Sequence, residues 1–63
     1  MKYPNIEAER ARNNISKEEF SERIGVSRKT LYNWIIKGNI PTTALLKMAD
    51  LFNCSIDYLL GRA

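Results

Sequence analysis

The stretch Ile15-Ser16-Lys17-Glu18-Glu19-Phe20-Ser21-Glu22-Arg23-Ile24-Gly25-Val26-Ser27-Arg28-Lys29-Thr30-Leu31 holds two helix-start signals in close succession. At the first, Ser16 can accept from the backbone N–H of Glu19, and Glu19 can reach back to the N–H of Ser16, which makes a capping box. Ile15 and Phe20 flank it at the spacing of a hydrophobic staple. The second start repeats the plan, with Ser27 as the cap and Val26 and Leu31 as the apolar pair. Gly25 lies between them, where the first helix must end with positive φ. A helix, a tight glycine turn and an immediate second helix predict a helix-turn-helix.

Outward from this unit, the apolar periodicity predicts an all-α chain of five short helices. The first runs from Pro4 or Asn5 to Asn13, with Ile6 inward and Glu7, Glu9, Arg10 and Arg12 outward. Asn14 marks its end, because asparagine tolerates the left-handed conformation. The second covers Lys17 to Ile24, and the third Arg28 to Lys37 with Leu31, Trp34 and Ile35 as its buried stripe. Gly38 ends the third, and Pro41 forbids helix through Ile40. The fourth spans Thr43 to Phe52, burying Leu45, Met48, Ala49 and Phe52. Asn53 stops it, and Ser55 caps a last short helix ending at Gly61, with Cys54 facing Leu59 in a staple. Helices this short are marginal alone. A shared core of Ile6, Ile15, Phe20, Ile24, Val26, Leu31, Trp34, Ile35, Leu45, Met48, Phe52, Ile56 and Leu59 must hold them together.

At 63 residues the chain reads as one domain, residues 1–63, with little room for a ligand cavity beside its core. It has no histidine, a lone cysteine (Cys54) and no glycine-rich phosphate loop. Catalytic, metal and cofactor readings therefore lack their residues. No apolar run approaches a membrane span and no signal stretch opens the chain. An unpaired cysteine suits a reducing cytoplasm. The net charge of +3 is a mild bias toward a polyanion partner.

Once the buried stripe of the third helix is removed, Arg28, Lys29, Tyr32, Asn33, Ile36 and Lys37 face outward. Arg28 and Lys29 occupy its first turn, where cations oppose the helix dipole. That placement makes sense if this end meets nucleic acid. Arginine and lysine donate to guanine O6 and N7 in the major groove, and Asn33, one turn on, can pair with adenine N6 and N7. Lys17, beside the free N–H groups opening the second helix, suits a phosphate. Lys37 with the Gly38 and Asn39 amides offers a second phosphate grip, Tyr32 can stack on sugar, and Ser16 joins the candidate backbone contacts.

The ordered set of signals resembles the small DNA-binding domains of lambdoid phage repressors and Cro proteins, the XRE-like regulators. The resemblance runs from Ile6 to Leu60. It is carried by Ser16 to Ser27 with Leu31, and by Phe52-Asn53-Cys54-Ser55-Ile56-Asp57-Tyr58-Leu59-Leu60. It implies a compact five-helix lambda-repressor-like domain whose second and third helices read DNA. It places Arg28, Lys29 and Asn33 at base edges, Lys17 where a polar residue grips the backbone, and Ser27 and Arg10 near phosphate. The family docks its recognition helix in the major groove and sets paired domains ~34–36 Å apart on a palindrome. Three departures stand out: Ser21 replaces the usual alanine, Ile36 to Pro41 aligns with a one-residue shift, and the late glutamate of helix three is absent. Ile35 and Ile36 occupy that last region, leaving Arg10 to pair elsewhere, with Glu7, or to turn to phosphate.

One such domain covers a half-site, so a homodimer on double-stranded DNA is expected. The apolar residues left for pairing are Ile40, Leu46, Leu51, Ile56 and Tyr58, and the resemblance favours Ile40, Pro41, Ile56, Tyr58 and Leu59. The leading expectation is a cytoplasmic, non-enzymatic transcriptional regulator of phage or prophage repressor type. An antitoxin or restriction-controller protein shares the class, and a protein-interaction module with the same fold is the competing one.

Overall fold

The computed structural model describes residues 2–62. Its helices are α1 (Pro4–Arg12), α2 (Lys17–Ile24), α3 (Arg28–Lys37), α4 (Thr42–Phe52) and α5 (Ile56–Leu59), with no strand among the described residues. α4 starts one residue earlier than its pattern suggests. Pro41, with φ −59°, takes the cap position without a side-chain bond, and its carbonyl accepts from Leu45 N–H.

The three serine caps form as the sequence predicts. Ser16, Ser27 and Ser55 Oγ accept from the N–H groups of Glu19, Thr30 and Tyr58 at 3.0, 3.1 and 3.0 Å. The return half of the first capping box is absent. Glu19 instead accepts from Arg23 at 3.0 Å, because an i, i+4 ion pair on an open helix face competes for the same carboxylate. Between α2 and α3, Gly25 adopts φ 89°, and the N–H groups of Gly25 and Val26 both donate to Ser21 O. Gly38 stops α3 at φ 77°, and Asn14 and Asn53 supply non-glycine left-handed stops, at φ 56° and 53°.

The core consists of Ile6, Phe20, Ile24, Leu31, Ile35, Ala44, Met48, Phe52 and Leu59. α2 packs on α3 and α4, while α1 packs on α4 and α5. Phe20 and Phe52 join α2 to α4, with ring centroids 5.4 Å apart and tilted by 51°. Ser21 is buried where α2 meets α3, and its hydroxyl donates to Glu18 O at 2.8 Å, so the polar replacement for alanine is satisfied within its own helix.

Several core assignments need correction. Ile15, Val26, Trp34, Leu45 and Ala49 form a half-buried rim against the core, and Ile56 is half-buried outside it. On α4 the innermost line is Ala44, Met48 and Phe52, so small Ala44 takes the place expected of Leu45. Leu59 has no exposed surface, which removes it from the pairing surface. Glu9 is also not outward. It is buried, and its carboxylate accepts from Arg12 Nε and from the Tyr58 hydroxyl, each at 3.1 Å. A buried carboxylate is tolerable only with such partners.

Candidate nucleic-acid interface

Caps and core together decide what α3 presents. Leu31 and Ile35 are fully buried, which fixes the helix's rotation and turns Arg28, Lys29, Asn33, Ile36 and Lys37 to the exterior. The N-terminus of α2 lies beside this face. Lys17, Arg28, Lys29, Tyr32 and Ile36 line one open concavity between them.

The charges are distributed unevenly. Arg10, Arg12, Arg23 and Arg62 each pair with an acid: Glu7, Glu9, Glu19 and Asp57. Among the described residues no acid pairs with Lys17, Arg28, Lys29 or Lys37. From Gly25 to Ala49 the sequence contains Arg28, Lys29, Lys37 and Lys47 and no aspartate or glutamate. The outer face of α3 is thus a patch of uncompensated positive charge bordered by apolar Ile36.

Lys17 is held in a defined place. Its Nζ lies 5.3 Å from the centroid of the Tyr32 ring, a cation–π contact that spans α2 and α3. Tyr32 in turn donates its hydroxyl to Glu7 Oε2 at 2.6 Å. Burial first, and the neighbouring Glu7 carboxylate second, push the Tyr32 hydroxyl pKa upward, so it remains a donor. Half-buried and bonded in this way, Tyr32 acts as a support under Lys17 more than as a free stacking platform.

Arg10 follows the Glu7 alternative. Its Nε lies 3.2 Å from Glu7 Oε2, its Nη1 donates to Ile15 O at 2.6 Å, and its side chain is 19% exposed. The guanidinium therefore clamps the turn between α1 and α2. Glu7 thus bridges Arg10 and Tyr32, joining α1 to α3. Sequence spacing carries no signal for this bridge, because Glu7 and Tyr32 lie on different helices.

The phosphate grip expected of the Gly38 and Asn39 amides does not form. Both N–H groups donate to Trp34 O, at 2.8 and 3.1 Å, closing the end of α3. Exposed Lys37 and the exposed Asn39 side chain remain available there. Ser16 and Ser27 are exposed, but their hydroxyls serve as caps, and the Ser27 hydroxyl also donates to Thr30 Oγ1 at 2.9 Å.

The helix-turn-helix family model matches residues 6–59. The chain belongs to the XRE-like helix-turn-helix family. No curated protein and no solved structure matches it. The family is one of DNA-binding regulators, and DNA-binding regulation is the functional class of this XRE-like domain. Among the described residues no helix is long and apolar enough to cross a membrane.

Proposed function

We propose that this XRE-like domain is a sequence-specific transcriptional regulator of phage or prophage repressor type, working in the cytoplasm and reading the major groove with α3. The observation that carries the reading is the set of exposed, acid-free cations on that helix, Arg28, Lys29 and Lys37, when the remaining arginines are all neutralised. In this reading Arg28 and Lys29 donate to guanine edges and Asn33 makes the paired contact to adenine. Lys17, Lys37 and Asn39 hold phosphates and set the register.

Two copies on a palindromic operator supply the affinity that one small domain lacks. The pairing surface is drawn from Ile40, Pro41 and Ile56, which keep accessible area, while Tyr58 is partly committed to Glu9. Repression follows from occupying the operator.

Selection of bound duplexes from a random library tests this reading. Recovery of an enriched palindrome with guanine and adenine at fixed positions in each half supports it. Recovery of unenriched sequence, or of no duplex at moderate salt, contradicts it.

A further inference from the structure

We propose that Ile36 is a specificity-determining residue that packs on the C5-methyl group of a thymine. The proposal rests on the assignment of α3 as the DNA-reading helix. Ile36 is 61% exposed, while its neighbour Ile35 is completely buried. A large apolar side chain in that position contributes nothing to the core, and a β-branched residue is a mediocre helix former on an open surface. Leu46 on α4 is exposed as well, at 52%, but Ile36 stands beside the exposed cations of α3 and lines the same concavity as Lys17, Arg28 and Lys29.

The helix geometry says what covers it. Ile36 stands seven residues after Lys29, so the two project within about 20° of each other around the axis. Asn33 is offset by about 60° to one side and Arg28 by about 80° to the other. Ile36 thus falls on the midline of the fan made by the three candidate base-reading side chains, about 4.5 Å further along the axis than Asn33. It also borders the concavity lined by Lys17, Arg28, Lys29 and Tyr32.

An occupant of this face must satisfy unpaired cations and cover the sec-butyl side chain of Ile36 on the same helix face. The major groove of a duplex offers both, since phosphates line its edges and its floor carries one apolar group, the C5-methyl of thymine. A purely apolar protein surface would leave Arg28 and Lys29 desolvated and unpaired, at a large penalty. Charge complementarity favours a duplex over an apolar surface and, within the duplex that α3 is assigned to read, the apolar side chain favours a thymine next to the base read by Asn33.

The test uses the duplex recovered by selection, with each thymine replaced in turn by deoxyuridine, which removes the methyl alone. Wild-type protein is expected to lose about fourfold in affinity at one thymine per half-site, the value of one buried methyl-sized group. Ile36→Ala should bind the thymine duplex about fourfold more weakly and be indifferent to that same replacement. Its salt dependence should match wild type, because the residue is uncharged, and its helicity should be no lower, because alanine is the better helix former. Ile36→Val should restore most of the thymine preference. If Ile36→Ala keeps the wild-type thymine-to-deoxyuridine ratio at every position, or wild type ignores every replacement, the proposal is overturned while DNA reading by α3 stands. If wild type does not separate the selected duplex from a scrambled one, the α3 assignment itself fails, and this proposal with it.

Discussion

Tyr32 on α3 donates its hydroxyl to Glu7 on α1 at 2.6 Å, and this bond ties α3 to α1. Glu7 also holds Arg10, whose guanidinium reaches Ile15 O at the α1–α2 turn. The same tyrosine ring carries Lys17 on its face. Tyr32→Phe deletes the hydroxyl and keeps the ring. A bond to a charged, mostly covered acceptor is worth about 1.5 kcal/mol at the low end of its range, so Tm should fall by on the order of 10 °C. The salt dependence of DNA binding should be unchanged, because the Lys17 contact survives. Thermal unfolding followed by circular dichroism checks this, and a Tm equal to wild type contradicts the tie.

Glu9 gives the fold an acid-sensitive point. Its pKa lies below the ordinary value of 4.5, held down chiefly by the Arg12 hydrogen bonds with help from Tyr58, against the opposing pull of burial. A carboxyl whose folded pKa is depressed stabilises the fold above its unfolded pKa. That contribution begins to fade below about pH 4.5 and is lost as the pH falls through the lower, folded value. Glu9→Gln should therefore be less stable than wild type at pH 7, and the gap should narrow at pH 3. Urea unfolding at the two pH values measures it, and a gap that widens in acid contradicts the assignment.

Ser27 sets where α3 begins, through its bond to Thr30 N–H. Ser27→Ala should cost about 1 kcal/mol of stability, and Ser27→Asn should recover most of it by capping in the same way. Denaturant midpoints of the two variants decide the matter. Equal midpoints would mean that packing alone fixes the start of α3.

Arg28 and Lys17 should fail differently. Arg28→Ala should cost about 1–3 kcal/mol on the selected site, far less on random duplex, and relax the preference at one base pair. Lys17→Ala should weaken binding to every sequence and reduce the salt slope by about one unit. Affinities on selected and scrambled duplexes over a salt series separate the two. Equal Arg28→Ala losses on both duplexes would make Arg28 a phosphate contact.

What the sequence discloses here is what is local. Ser16, Ser27 and Ser55 cap as their spacing requires, and Asn14, Gly25 and Asn53 stop helices, because each depends on neighbours within four residues. The exterior position of Arg28, Lys29 and Asn33 follows from burial of Leu31 and Ile35 on the same helix. What depends on partners remote in sequence was not legible. The inward turn of Glu9 requires Tyr58, and the bridge from Glu7 requires Tyr32, each from a helix whose approach no periodicity encodes. Trp34 falls on the apolar stripe yet packs only partly buried against the core, while Leu31 and Ile35 carry the fully buried positions of α3. The Gly38 and Asn39 N–H groups are unavailable to a phosphate because closing the end of α3 on Trp34 O consumes both.

The central claim is that an unpaired basic face of α3, supported by Lys17 on α2, is the surface that meets DNA. Titration of isotope-labelled protein with the selected duplex, followed by amide and side-chain resonances, tests it most directly. The account predicts the largest changes at Lys17, Arg28, Lys29, Asn33 and Ile36, with the α1 network of Glu7 and Arg10 largely unmoved. Changes concentrated on α4 and α5, with α3 silent, would contradict it.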